Sequence, residues 1–388
     1  MTEKLFYQDS RIRKFTARVE SCRETEKNQY EVVLDRTAFF PEEGGQYADS
    51  GRLFQGEQEI PVLDVQEKNG ILIHYTEKAL QEGTEITGEI DYEERFSKMQ
   101  QHTGEHIVSG IVHRRFGYNN VGFHLGNEEV TMDFDGMLTM EQIREIEREA
   151  NEAVAANVEI QVLYPTKEEL KDIAYRSKME IEGQVRIVRI PGWDTCACCA
   201  PHVTATGEIG IIKLTGAIKY KGGMRVSMLC GFRALEDYNR KEESVIAISR
   251  KLSAKPETIV EAVERLEKEI QAGKEKIIRL QEQYIKGILA GVKPEDTCVL
   301  LFEEELDPAA MRSFVNDAME ITTGICGVFI GNEEEGYRYV LGSREQNINA
   351  IAKEMNQAFN GRGGGKPPMV QGSLKAAKEN IEEFLKNR

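Results

Sequence analysis

His102 and His106 stand four residues apart in His102-Thr-Gly-Glu-His106. On a helix that interval puts both imidazoles on one face, where they can hold one ion. Cys198 and His202 repeat the interval in Cys198-Cys-Ala-Pro-His202, inside a turn that also carries Cys196. Two such pairs of nitrogen and sulfur ligands suit a single zinc ion, Zn2+. Spacing alone leaves Cys196 and Cys199 as alternatives to Cys198. It also leaves two kinds of site open, because a structural zinc uses four protein ligands and a hydrolytic one keeps a position free. Glu105 points off the face of the two histidines and is expected to be solvated or to stand behind the ligands. His74, His113 and His124 have no evident partners, and His74 in Ile71-Leu-Ile-His-Tyr75 reads as a strand residue.

Two glycine-rich stretches are the other places where chemistry is written. In Thr37-Ala-Phe-Phe-Pro-Glu-Glu-Gly-Gly-Gln46, Gly44 and Gly45 permit backbone conformations that let a ligand approach closely. Thr37 and Gln46 would bracket it with short polar groups, and the plainer reading is a hairpin turn. In Gly361-Arg-Gly-Gly-Gly-Lys366 a proline follows the lysine, so this is no Walker loop. Arg362 and Lys366 with the intervening amides suit an RNA phosphate. The alternative is a flexible connector before a last helix.

These residues need elements to hold them. The first 90 residues read as short alternating strands separated by turns, which predicts a small, mostly antiparallel barrel or sheet. Apolar spacing predicts a helix over residues 92–116, carrying the histidine pair, and a second from Met140 to Asn157. Val158–Leu163, Val185–Ile190, Ile209–Thr215 and Met224–Leu229 read as strands. Beyond Gly231 helical patterning returns. Ile259, Val263, Leu266, Ile270, Ile277, Leu280 and Tyr284 form a heptad-like seam, either in a hairpin folded about Pro256 or in a coiled coil between copies. The last hundred residues hold three apolar stretches and helices over Asn347–Phe359 and Ser373–Lys386. The expected class is α+β: a β-barrel (1–91), a zinc-binding α+β part (92–231), a helical hairpin or coiled coil (232–290), and a C-terminal α/β domain (291–388).

Composition narrows the classes. The 388 residues are 40% hydrophobic and 30% charged, which excludes a disordered chain. No apolar run is long enough to span a membrane, and a cytoplasmic location is expected. Seven cysteines, three of them crowded together, point to a metal site in a reducing compartment rather than to a disulfide framework. The net charge of −16 excludes nonspecific coating of nucleic acid but not a local basic face.

Taken together, Thr37-x-Phe-Phe-Pro-x-x-Gly-Gly-Gln46, Arg95 leading into Met99-Gln-Gln-His-Thr-Gly-Glu-His106, Gly122-Phe-His-Leu-Gly126, Tyr175-Arg-Ser-Lys178, Val185-Arg-Ile-Val188, Cys198-x-x-x-His202 and Lys221-Gly-Gly-Met-Arg225 resemble the alanyl-tRNA editing proteins called AlaX. These are free-standing relatives of the editing domain of alanyl-tRNA synthetase. The region beyond Gly231, with Gly361-Arg-Gly-Gly-Gly-Lys-Pro-Pro-Met-Val-Gln-Gly372, resembles the C-terminal part of that synthetase and the domain attached to DHH phosphoesterases. Both parts together look like the long form of AlaX, and nothing resembles the aminoacylation domain. The resemblance implies a hydrolase acting on tRNA for alanine that carries serine or glycine. It implies zinc on His102, His106, Cys198 and His202, catalytic roles for Thr37 and Gln46, and RNA or substrate contacts at Gly44, Gly45, Arg225, Arg362 and Lys366. Arg362, Lys366, Lys375 and Lys378 suggest a basic surface on the last domain, which the resemblance implies is a tRNA-binding and dimerisation domain, and a homodimer through residues after 231 is a further expectation. The chain departs from the pattern at Cys199-Ala-Pro201, where the synthetase commonly has Gly-Gly-Thr, and at Glu42-Glu43. A tRNA-binding module with a structural zinc is the non-enzymatic competitor. Editing of another mischarged tRNA is the enzymatic one.

Overall fold

The computed structural model describes residues 2–26, 28–126, 129–177 and 183–388, so Lys178 of the Tyr175-Arg-Ser-Lys motif lies outside the described residues. The chain forms two compact units, Met1–Ser244 and Val245–Arg388. In the first, six strands close into a barrel in the order Lys14–Glu24, Tyr30–Leu34, Ile71–Thr76, Gln58–Lys68, Gly51–Gln55, Glu85–Ile90. Every neighbouring pair is antiparallel. Alternation along Lys14–Glu24 turns Phe15, Ala17 and Val19 inward, and they meet Leu34, Leu53, Ile60, Val65 and Leu72. Closure removes the unpaired edges that an open sheet would expose.

Helix α1 (Tyr92–Phe116) follows. Its N-cap Asp91 accepts the Glu94 N–H, Glu93 and Glu94 occupy the first turn, and His113, Arg114 and Arg115 the last. That charge order suits the helix dipole. Every residue from Lys98 to Val112 is buried, so α1 is enclosed on all sides. Its neighbours are helix α2 (Met140–Ala156), the sheet Ile212–Tyr220, Gly223–Cys230, Val130–Phe134, Asn120–Leu125, and the sheet Gln161–Leu163, Ile187–Ile190, Asp194–Ala197. The strand expected from Ile209 starts at Ile212, because Thr206–Ile209 coil into a 3-10 turn.

The barrel is tied to α1 by Arg95, whose side chain is sealed from solvent against Asp49. Its Nε donates to both Asp49 oxygens at 2.9 Å, its Nη2 to Asp49 and to Ala38 O, and its Nη1 to Ser10 O at 3.2 Å. Asp49 in turn accepts the Phe40 N–H at 2.6 Å. Lys98 adds a 2.6 Å bond to Ala48 O. Both ends of the Thr37–Gln46 segment are thereby held to the helix that carries the histidine pair.

Helix α3 (Gly231–Leu252) contains the boundary between the units. In the second unit α4 (Ile259–Leu289) leaves Val263, Leu266, Ile270, Ile277, Leu280 and Tyr284 exposed. Five strands form a sheet in the order Cys298–Glu303, Ile325–Asn332, Gly336–Gly342, Met369–Leu374, Arg362–Lys366, with only the first pair parallel. The C-terminal domain expected as α/β is therefore built on a mixed, mainly antiparallel sheet. Helix α5 (Pro308–Ile321) covers one face, and α6 (Ile348–Ala358) and α7 (Lys378–Lys386) cover the other. Two expectations change here. The glycine-rich stretch is one strand of a β-hairpin rather than a flexible connector. The last helix starts at Lys378 instead of Ser373, because Ser373 is paired in the hairpin. No helix among the described residues is long and apolar enough to cross a membrane.

Breaking a buried ion pair leaves an uncompensated charge, so Asp49→Ala is expected to lower the unfolding free energy by about 3–5 kcal/mol. Arg148→Ala, which breaks the exposed Arg148–Glu152 pair, is expected to cost about 0–1 kcal/mol. Urea midpoints of the two variants measure the contrast.

Candidate metal centre

His102, His106, Cys198 and His202 converge, with their potential ligand atoms all within 4.8 Å of one another. Cys198 Sγ lies 3.6 Å from His102 Nε2 and 3.4 Å from His202 Nε2. Tetrahedral zinc with ordinary Zn–S and Zn–N bonds would put sulfur and nitrogen about 3.6 Å apart. The ligand set therefore matches that ion in type and spacing. The choice left open among three cysteines falls on Cys198. Cys196 lies behind His106 with Asp194, and Cys199 Sγ stands against Gly44.

The tautomer of each imidazole follows from its second nitrogen. His102 Nδ1 is 3.0 Å from Gln46 Oε1, and His106 Nδ1 is 3.0 Å from Asp194 Oδ2. His202 Nδ1 is 3.0 Å from Thr103 Oγ1, whose own proton goes to Met99 O at 2.7 Å. All three partners act as acceptors, so all three protons sit on Nδ1. The Nε2 lone pairs are left for a metal, an arrangement that sets ring angle and raises ligand basicity. Asp194 is gripped by Arg176, with Nε to Oδ1 at 2.8 Å and Nη2 to Oδ2 at 2.9 Å. It reaches His106 because α1 has a glycine one turn on. A Cβ on Gly110 would lie 2.4 Å from Trp193 O.

Electrostatics follow the same geometry. Burial alone would raise the Cys198 thiol, but the facing His102 and His202 outweigh it and hold it well below its ordinary value. Burial pushes His202 down to about 3. Burial also works against charge on His106, but the Asp194 carboxylate prevails and holds it well above its usual value. Protons and a cation thus compete for the same cluster. Glu105 is buried and not solvated. Its Oε1 accepts from Ser109 Oγ at 2.7 Å and Asn120 Nδ2 at 2.6 Å, and its Oε2 is 3.9 Å from His106 Nε2.

The glycine segment reaches this centre through Gln46. Gly44 and Gly45 are exposed with positive φ, and a Cβ on Gly45 would lie 2.9 Å from Phe123 O. The Phe123 ring is itself 4.9 Å from that of His102. Gln46 is fully buried, and its Nε2 is a donor without a hydrogen-bond partner among the described residues. Thr37 is not among the clustered ligands. It is fully buried and its Oγ1 is 2.8 Å from His74 Nε2. His74 Nδ1 faces Val32 O at 3.2 Å and must donate to it, so Nε2 accepts the Thr37 proton. Burial pushes His74 down to about 4, consistent with that neutral ring. Thr37 Oγ1 also accepts the Phe39 N–H at 3.1 Å. His113 Nδ1 is 3.3 Å from Tyr118 O, and the His124 ring is 5.9 Å from that of Tyr47. Arg225 is held by both oxygens of Asp133, at 2.6 and 2.7 Å, and covers the Tyr220 ring, so its guanidinium fork is already occupied. Arg362 and Lys366 are exposed on the hairpin of the second unit. Sequence reasoning missed Thr103, Arg176 and Asp194. The legible signal was a buried-looking aspartate two residues before a cysteine-rich turn.

Comparison with known proteins places these parts. The family described as "tRNA synthetases class II (A)" matches residues 1–94. "Threonyl and Alanyl tRNA synthetase second additional domain" matches 185–243, and "DHHA1 domain" matches 295–387. The alanyl-tRNA editing protein AlaX-L of Pyrococcus horikoshii is 26% identical over 98% of this chain and 96% of its own length. Alanine–tRNA ligases of Ignicoccus hospitalis and Pyrococcus abyssi are 30% and 29% identical over 76% and 99% of this chain. The chain spans only 33% and 43% of those ligases. The crystal structure of the C-Ala domain of Aquifex aeolicus alanyl-tRNA synthetase aligns at 19% identity over 24% of this chain and 95% of that one, with a TM-score of 0.21, too low to bear on the fold.

Because Asp194 orients a ligand without being one, Asp194→Asn is expected to weaken zinc or cobalt binding about 10–100-fold. Competition with a chromogenic chelator, with circular dichroism as a check on folding, measures it.

Proposed function

The chain belongs to the long-form AlaX group of alanyl-tRNA editing proteins, and on that premise we propose that it is a trans-acting aminoacyl-tRNA deacylase. It hydrolyses the ester of tRNA(Ala) carrying serine, and glycine as a second substrate, and attaches no amino acid. The observation that carries this reading is the convergence of His102, His106, Cys198 and His202 beside Gln46 of the glycine segment. A pocket for alanine discriminates weakly against an amino acid that merely adds a hydroxyl, so a second, hydrolytic site is needed. Serine is larger than alanine, so that second site must demand the hydroxyl rather than exclude by size.

Thr37 is the proposed reader of the hydroxyl. Its proton is committed to His74 and one lone pair to Phe39 N–H, which leaves it an acceptor for the seryl O–H. Alanine would leave that buried lone pair unpaired. A bound zinc ion would be held by the four converging side chains and would supply Lewis acidity and an anchor for the substrate's amino group. Gln46 holds His102 through Oε1 and offers its unpartnered Nε2 to the acyl oxygen. The exposed Gly44 and Gly45 admit the terminal ribose. Arg362 and Lys366 contact the RNA, and the exposed seam of α4 pairs with a second copy of the chain.

The competing reading is a tRNA-binding module with a closed, structural metal site, which the four-protein-ligand set favours. Release of labelled serine from seryl-tRNA(Ala), beside an alanyl control and a chelator-treated sample, separates the two. Fast, chelator-sensitive serine release with alanine spared is expected. Binding without release overturns the deacylase reading. Cys198→Ala is expected to abolish both metal content and hydrolysis, and hydrolysis that survives metal loss would make the metal structural.

Thr37→Val is expected to narrow the preference for seryl over alanyl substrate by about tenfold or more. It should also cost about 1–3 kcal/mol of stability, since it orphans buried polar groups. Thr37→Ser is expected to keep both. Specificity constants for the two substrates, with urea midpoints, test the pair.

A further inference from the structure

Gly122-Phe-His-Leu-Gly126 lends only Phe123 to the metal centre, and its histidine faces elsewhere. A strand carries successive side chains to opposite faces. Phe123 therefore meets His102 on one side, while His124 stands on the other, its ring centroid 5.9 Å from that of Tyr47. The glycine segment divides in the same way. Gln46 bridges Leu125 in parallel, and the Leu125 N–H donates to Gly45 O at 3.2 Å, so the segment lies along the edge of that strand. Gln46 turns inward to His102, and Tyr47, the next residue, turns outward to His124. One thickness of backbone separates the Tyr47–His124 pair from the metal ligands, and the exposed Gly44 and Gly45 lie beside it.

Both rings are open to a ligand. Tyr47 is 43% exposed, and His124 is exposed as well. Neither the Tyr47 hydroxyl nor a ring nitrogen of His124 has a hydrogen-bond partner among the described residues. The positions two before and two after His124, on its own face, are both glycine, so the imidazole stands clear of its strand. A Cβ on Gly126 would come within 3.3 Å of His124 Nε2. The two rings meet at 84°, which makes a corner: a flat group stacked on one presents its edge to the other. A nucleobase suits such a corner, because it offers a π-face to stack and polar edge atoms to the free phenol and imidazole.

We propose that the corner formed by Tyr47 and His124 seats the terminal base of the tRNA substrate, an adenine. The proposal rests on the deacylase reading, in which the ester lies on the metal side and the terminal ribose passes Gly44 and Gly45. The base is the next group along, with only that ribose between it and the ester. A wall one backbone thick is the barrier that such a short link can cross. Stacking supplies the contact, so it holds the chain end in place without a phosphate and without strong preference among bases.

The test uses the full chain and two small substrates, the seryl ester of adenosine and the methyl ester of serine, which has no base. The wild-type protein should favour the adenosine ester in kcat/KM. Tyr47→Ala should shrink that ratio about 5–150-fold, the worth of one stacked base. The loss should fall on KM for the adenosine ester, since the contact lies away from the reacting bond. Tyr47→Phe keeps the ring and should keep the ratio, while His124→Ala should shrink it. An unchanged ratio in Tyr47→Ala overturns the proposal even if both rates fall, because Tyr47 would then only support Gln46. Serine release with that outcome keeps the deacylase and removes the base seat. If neither ester is cleaved, binding decides, with uncharged tRNA compared with the same tRNA shortened by its terminal adenosine. A preference for the complete tRNA that Tyr47→Ala abolishes, with the salt dependence of binding unaltered, keeps the base seat and removes the deacylase. Equal affinity of the wild-type protein for the two tRNAs removes both.

Discussion

Three imidazoles can face one point usefully only if each presents a lone pair there, and that depends on what the far side of each ring touches. Gln46, Asp194 and Thr103 are all acceptors at Nδ1. They come from the barrel-side loop, from the edge of a three-stranded sheet, and from α1 itself. The candidate metal centre is therefore a product of packing between layers. Enclosing α1 on every side puts its polar residues within reach of those layers, and the buried Arg95–Asp49 pair keeps the loop carrying Gln46 in register with the helix carrying His102.

Enclosure also decides how the site separates two jobs. The groups that orient the ligands are buried. Gly44 and Gly45 beside them face outward and carry no side chain. Thr37 sits deeper, in the barrel wall, with its hydroxyl direction set by a neutral His74. A buried group whose donor is already committed can recognise only a donor. Under the proposed function, selection of a seryl hydroxyl by Thr37 would be a matter of which groups hold protons rather than of pocket volume.

Much of this was legible in the sequence because it rests on local periodicity. The four-residue intervals of the ligand pairs, the bounds of α1, and the alternating first strands all follow from spacing along one element. What escaped depends on contacts between distant elements. Cys198 could not be told from its neighbours because the choice is made by His102, which lies 96 residues away. His74 looked like an ordinary strand residue because its partner Thr37 is brought opposite only when the barrel closes. Arg225 looked free because Asp133 is its neighbour across a ladder, not along the chain. The glycine-rich stretch was read as a loop because its composition disfavours a strand, yet cross-strand pairing with Met369–Leu374 overrides that propensity. α5 was missed although Asp307-Pro308 opens it and Met311, Phe314, Val315, Ala318 and Met319 keep helical spacing.

The long sequence separation within the ligand set has a consequence for how the chain folds. Unfolded, it offers a cation only two separate bidentate fragments, each a weak binder. Joining them closes a loop of 96 residues, and a link of that span removes on the order of 4–5 kcal/mol of denatured-chain freedom in the entropic picture worked out for disulfides. An ion held there would staple the barrel-facing turn to the central helix much as a disulfide would, but with a bond that a reducing compartment cannot cleave.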